Sequence, residues 1–252
     1  MIAVVFAAGI GSRLKPFTDL HPKALAPLGG VPLLGRVLHK LAEAGARAAV
    51  INVHHFPQQI REYLASEDFG LDIEISDESG LLLDTAGGLA KMVRDSRVLG
   101  TCTPDEDIVV HNADIYTDFC IADMLSAHHA TGADATLLAD SRRQSTRAFL
   151  FDNEGRLHGW RNSATGAVRP GDIDTAGLTA APFGGVHVLR RDLLDAVSDF
   201  VGPELHPCSI VDFYLSTCGG RDYRGYTPAA PYRWHDIGTP EKLEAAQALF
   251  SE

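Results

Sequence analysis

Ala7-Ala8-Gly9-Ile10-Gly11-Ser12-Arg13-Leu14-Lys15-Pro16-Phe17-Thr18-Asp19-Leu20-His21-Pro22-Lys23 follows directly on the apolar run Ala3-Val4-Val5-Phe6. A buried strand that breaks into a glycine turn lets successive backbone N–H groups approach a ligand closely and form an anion-binding concavity. Arg13, Lys15 and Lys23 add three cations to this short segment of a chain whose formal net charge is -11. Such a local concentration of positive charge is what a polyphosphate ligand requires. A glycine turn with a solvated basic rim produces the same short pattern, so the two glycines alone leave both readings open. Two better-known phosphate loops are excluded. The third glycine of a dinucleotide-binding turn is replaced by Leu14, with no acidic residue ending the next apolar run, Ala48 to Val53. The Gly-Lys-Ser/Thr of a P-loop is absent.

Outward from this loop, short apolar runs alternate with amphipathic ones. Leu34, Val37, Leu38 and Leu41 recur at helical spacing between Leu33 and Ala44, with Gly45 as a C-terminal stop. Ala48 to Val53 reads as a buried strand, Pro57 to Leu64 as a helix, Leu71 to Ile75 as a half-exposed strand, and Ile108-Val109-Val110 as another buried strand. Strands separated by helices of this length predict an α/β fold, with a mixed, mostly parallel sheet flanked by helices. After Asp140 the pattern loosens into shorter strands at Phe149-Leu150-Phe151, Leu157 to Trp160 and Val186 to Leu189. The Gly-, Thr-, Asp- and Pro-rich stretch Ser163 to Pro182 reads as a long loop over a substrate. Thr239 and Pro240 open a final helix. With 252 residues, 45% of them hydrophobic, the chain can bury a full core. We read it as one domain, residues 1–140 forming a nucleotide-binding part and residues 141–252 a dependent sugar-binding part.

The acidic balance, 33 Asp and Glu against 22 Lys and Arg, argues against nucleic-acid or anionic-membrane partners. No run approaches the ~18 apolar residues of a membrane span, and the first residues read as a core strand rather than a signal peptide. Cys102, Cys120, Cys208 and Cys218 are widely spaced, which suggests buried reduced thiols and a cytoplasmic location.

At full length the opening stretch, A-A-G-x-G-S-R-L-x-P-x-T-x-x-x-P-K, is similar to the signature of the sugar-1-phosphate nucleotidyltransferases. Leu83-Asp84-Thr85-Ala86-Gly87-Gly88, His111-Asn112-Ala113-Asp114-Ile115 and Trp234-His235-Asp236-Ile237-Gly238-Thr239-Pro240 follow in the family's order. The resemblance spans the chain and is strongest to short bacterial members acting on N-acetylmuramate 1-phosphate, without a C-terminal acyltransferase domain. It implies a Rossmann-like nucleotidyltransferase fold and a reaction of NTP with sugar 1-phosphate to give NDP-sugar and pyrophosphate. The sugar phosphate is already an anionic nucleophile, so the chemistry asks for alignment and charge neutralisation, not a general base.

By this resemblance Arg13 and Lys23 are the catalytic cations, Arg13 on the leaving pyrophosphate and Lys23 near the α-phosphate. Ala7, Ala8, Gly9, Gly11 and Ser12 cradle the triphosphate, while Glu78, Thr85, Ala86 and Gly87 border the base. Asn162, Gly184, Gly185 and Asp212 face the sugar. Asp114 and Asp236 hold Mg²⁺, a hard cation suited to carboxylate and phosphate oxygens. Asp84 stands where similar sequences often have Glu, and Ala86 where they often have Gly. A carboxylate at Glu78 accepts the ring N–H of uracil or of guanine, so it does not decide between the two bases. From the resemblance, UTP with an amino-sugar 1-phosphate such as N-acetylmuramate 1-phosphate is the first expectation. A mannose- or heptose-1-phosphate guanylyltransferase is the second. A non-catalytic sugar-nucleotide sensor is the alternative of another class.

Overall fold

The computed structural model describes residues 1–250. Its centre is a seven-stranded sheet in the order Tyr223–Tyr226, Ala135–Ala139, Phe183–Leu189, Ile108–Asn112, Ile2–Phe6, Ala48–Val53, Asp72–Asp77. Phe183–Leu189 runs antiparallel to both its neighbours, and every other pairing is parallel. The first strand shows why the sheet must be covered on both sides. Ile2 and Val4 point to one face and Ala3 and Val5 to the other, all four fully buried. Against the Ile2 face pack the helices Asp84–Asp95, Asp192–Val201 and Ile210–Thr217. Against the Ala3 face pack Leu33–Glu43, Pro57–Ser66 and Ile121–Thr131. The predicted stripe Leu34, Val37, Leu38 and Leu41 is the buried face of its helix, and Gly45 follows that helix at φ +92°. No helix of the described residues is long and apolar enough to cross a membrane.

A second, four-stranded antiparallel sheet has the order Ala167–Arg169, Leu157–Asn162, Arg147–Phe151, Thr179–Ala181. Its Phe149, Phe151 and Leu157 share the core under Ile2 and Val4, so the two sheets have one hydrophobic interior. Here the expectation of a long loop from Ser163 to Pro182 is corrected, because the segment contributes two strands. Both are three-residue edge strands, too short and too exposed to show alternation in sequence. The cysteine expectation is also corrected. All four are free, but Cys120 is exposed and the others only half-buried.

A third, small core holds the functional loop in place. Leu14 packs with Ala26, Leu28, Leu33, Ile237 and Ala246, joining the glycine loop, the hairpin of Pro27–Leu28 with Val31–Pro32 and the final helix Pro240–Gln247.

Candidate active site

Three parallel strands, Ile2–Phe6, Ala48–Val53 and Ile108–Asn112, end at one cleft of about 420 Å³. The crevice beyond the carboxyl ends of parallel strands is where α/β sheets place ligands. Ala7, Ala8 and Gly9 form one wall, Asn112, Ala113 and Asp114 another, and Glu78, Asp84 and Thr85 a third.

The glycine loop folds back on itself. Gly11 has φ +68°, and a Cβ there would lie 2.9 Å from both Lys23 Cβ and Thr18 Cγ2. Thr18 donates its hydroxyl to the Gly11 carbonyl at 2.9 Å and fixes the curl. Lys23 is thereby held beneath the loop with only 8% exposure, and its ammonium pairs with Asp114 Oδ2. Arg13 is exposed at the loop's outer edge. A Cβ on Gly238 would sit 3.4 Å from Arg13 Nη2 and 3.0 Å from Asp236 Oδ1, so the guanidinium lies on the flank of that carboxylate. Lys15 is elsewhere, in an exposed pair with Asp19.

The two aspartates expected to share a metal are brought together by a two-stranded ribbon. Trp234–Asp236 pairs antiparallel with Ile115–Thr117, with Asp236 opposite Ile115, and Ile237 N–H donates to the Asp114 carbonyl at 2.9 Å. Each carboxylate already attracts a cation, Asp114 the Lys23 ammonium and Asp236 the Lys242 ammonium at 2.7 Å. No group of three or more His, Cys, Asp or Glu among the described residues forms a complete metal cage. Two hard carboxylates suit a divalent cation, the rest of whose ligands phosphate and water oxygens would supply.

The other wall depends on Glu78, 2% exposed. Burial pushes its carboxyl up, while hydrogen bonds from Asn52 and from Leu83 N–H favour its charged form. Both oxygens therefore have partners within the protein. Asp84, at φ +57°, keeps a backbone conformation that glycine adopts more easily, and its carboxylate accepts from Thr85 N–H at 2.6 Å. Thr85 reaches the cleft, but its hydroxyl also accepts from Ile210 N–H at 2.8 Å. Ala86 and Gly87 turn their N–H groups to the Cys208 carbonyl, at 2.8 and 3.2 Å, and do not line the cleft.

The four residues expected at the sugar do not line it either. Gly185 comes nearest, since a Cβ there would lie 2.9 Å from Asn112 Nδ2, beside Asp114. The Gly184 carbonyl accepts from Trp234 Nε1 at 2.9 Å. Asn162 accepts from Ala164 N–H in a turn at the end of its strand, and Asp212 forms an exposed pair with Arg169. Asn52 is the residue that sequence reading missed. It is a lone polar side chain in the wholly buried strand Ala48–Val53, and that mismatch was its signal.

The family model for nucleotidyl transferases matches residues 2–148, more than half of the chain. The chain belongs to this family. This nucleotidyltransferase is similar to the N-acetylmuramate alpha-1-phosphate uridylyltransferase of Neisseria meningitidis, with 29% identity over 99% of this chain and 98% of the relative. It is as similar to the protein of that name from Caulobacter vibrioides, with 29% identity over 100% and 97% of the two chains. A mannose-1-phosphate guanylyltransferase of Mycobacterium tuberculosis is 28% identical over 98% of this chain and 63% of its own length. Among solved structures, HddC from Yersinia pseudotuberculosis has a TM-score of 0.72 at 17% identity, with 99% of each chain covered. A putative glucose-1-phosphate thymidylyltransferase from Bacillus anthracis has a TM-score of 0.74 at 17% identity, covering 100% of this nucleotidyltransferase and 96% of that chain. The fold expected from the sequence is the fold of this family.

Proposed function

We propose that the protein joins UTP and an amino-sugar 1-phosphate, such as N-acetylmuramate 1-phosphate, to give the UDP-sugar and pyrophosphate. The observation that carries this reading is the Lys23–Asp114 pair on the wall of a cleft bounded by Ala7 to Gly9, with Asp236 joined to Asp114 by the Ile115–Thr117 ribbon just outside the cleft and Arg13 on the flank of Asp236. The two full-length relatives acting on N-acetylmuramate 1-phosphate support the choice of substrates. An oxygen of the sugar phosphate forms a bond to the α-phosphorus as the bridge to the β-phosphate breaks, and the electron pair leaves with pyrophosphate. No proton has to be removed from the nucleophile, so the residues act by position and charge. Backbone N–H groups of the glycine loop receive the triphosphate. Lys23 faces the α-phosphate from beneath the loop, and Arg13 faces the departing pyrophosphate from its outer edge. Asp114 and Asp236 hold Mg²⁺, which when bound neutralises phosphate charge. The sugar is assigned to the side of Asn112 and Gly185.

A guanylyltransferase is the second reading, favoured by the 28% identity to the mycobacterial mannose-1-phosphate enzyme. A matrix of nucleoside triphosphates against sugar 1-phosphates, read by pyrophosphate release, separates the two. UTP with an amino-sugar 1-phosphate is expected to give the highest kcat/KM. A clear preference for GTP with mannose 1-phosphate would replace the uridylyl assignment and keep the reaction class.

A further inference from the structure

Asn52 is 3% exposed at the carboxyl end of its strand, and the hydrogen bonds of its side chain run to two walls of the cleft. Its Oδ1 accepts from two successive N–H groups of the glycine loop, Ala7 at 2.7 Å and Ala8 at 3.3 Å. Its Nδ2 donates to Glu78 Oε1 at 2.8 Å. Glu78 Oε2 in turn accepts from Leu83 N–H at 3.2 Å, immediately before the helix that carries Asp84 and Thr85. The bridge needs Gly88, because a Cβ there would lie 2.7 Å from Glu78 Oε1 and 3.0 Å from Asn52 Nδ2. A buried carboxylate is a poor means of gaining stability, since an apolar filling of equal volume serves as well or better. What it does provide is directed geometry, two acceptor oxygens held at fixed positions.

We propose that Asn52 and Glu78 are positioning residues that tie the triphosphate-facing loop to the Leu83–Thr85 turn, so that both cleft walls are set as one unit. Glu78 then acts through Asn52 and Leu83 and not by reading the base. This inference rests on the proposed function, because it takes the two walls to meet the two ends of one nucleotide.

The hydrogen-bond pattern permits a swap. In Asn52→Asp the new carboxylate faces Glu78, acceptor against acceptor. In Glu78→Gln the new amide must leave either Asn52 Nδ2 or Leu83 N–H without an acceptor. In the double variant the new amide donates to the new carboxylate and accepts from Leu83 N–H, while Ala7 and Ala8 keep their acceptor. We would measure UTP binding by calorimetry, and kcat and both KM values by pyrophosphate release, far below each variant's melting temperature. Each single substitution is expected to weaken UTP binding and kcat/KM for UTP by about 10- to 100-fold, the range for coupled buried partners. The KM for sugar phosphate should stay within about twofold, and the double variant should recover most of the UTP affinity. Single variants that melt earlier but bind UTP normally would show a merely structural pair and overturn the proposal. So would a double variant as impaired as Glu78→Gln, which would assign Glu78 to direct contact with the ligand. A wild-type protein that binds UTP without releasing pyrophosphate would refute the proposed function, and the binding arm would still decide the bridge.

Discussion

Gly11→Ala should damage this enzyme more than its one added methyl suggests. Gly11 sits at φ +68°, where an L side chain costs about 1–2 kcal/mol. The new Cβ would also fall 2.9 Å from Lys23 Cβ and from Thr18 Cγ2, inside van der Waals contact on two sides. Overpacking of this kind costs about 1–3 kcal/mol. The sum, about 2–5 kcal/mol, corresponds to roughly 4–20 °C in melting temperature for a chain of this size. If the loop yields locally, Lys23 is pushed off Asp114, and turnover falls even where the melt moves less. Gly9→Ala is the control for stability, since nothing lies within 4 Å of its Cβ position and its φ is not positive. Its stability should stay within about 0.5 kcal/mol of the parent. Thermal melts of both variants, with pyrophosphate release by Gly11→Ala, check this. A Gly11→Ala protein with parental melting temperature and parental kcat would refute the claim that the curl of this loop seats Lys23.

Three further outcomes are expected. Arg13→Ala should lose about 3 kcal/mol of transition-state stabilisation, roughly 150-fold and mostly in kcat, whereas Lys15→Ala, which breaks only an exposed pair, should change kcat less than about twofold. Steady-state kinetics at saturating substrates compares them. Asp114→Asn should abolish turnover at ordinary Mg²⁺ and leave the circular dichroism spectrum unchanged, because it removes the charge proposed to bind the metal and the charged partner of Lys23 without changing size. Burial holds His111 at about 4 and His187 at about 3, against 6.5 for a free histidine. The folded state therefore binds fewer protons than the unfolded one, so this stability is complete above pH ~6.5 and is lost as pH falls toward 4. A series of melts from pH 7 to 5, above the range of most carboxylates, should decline, and a flat series would contradict the buried neutral histidines.

Much of the fold was legible because period and burial agree. The runs Ala3 to Phe6, Ala48 to Val53 and Ile108 to Val110 are covered on both faces and are therefore apolar without interruption. The strands Ala167–Arg169 and Thr179–Ala181 were illegible because edge position and length leave them without a pattern. Arg13, Lys23, Asp114 and Asp236, the residues of the proposed site, stand out in sequence because each lies in a long motif, and the ribbon of Ile115–Thr117 with Trp234–Asp236 brings the segments of the two aspartates together. What no local reading could supply was direction. Ala86 and Gly87 belong to the right segment, yet their N–H groups satisfy the Cys208 carbonyl. Glu78 belongs to the right wall, yet its oxygens face Asn52 and Leu83. The pairing of Glu78 with Asn52 spans 26 positions and that of Ala86 and Gly87 with Cys208 more than 100, and only the packed structure reveals them.

Phosphorus NMR of the protein with UTP, N-acetylmuramate 1-phosphate and Mg²⁺ tests nucleotidyl transfer in this cleft most directly, because it resolves every phosphorus that enters or leaves. The expected spectrum shows the UDP-sugar diphosphate and pyrophosphate growing in equal amounts as UTP and the sugar phosphate disappear. Release of UDP or orthophosphate without pyrophosphate, or no change with this or any other pairing of nucleoside triphosphate and sugar 1-phosphate, would contradict it.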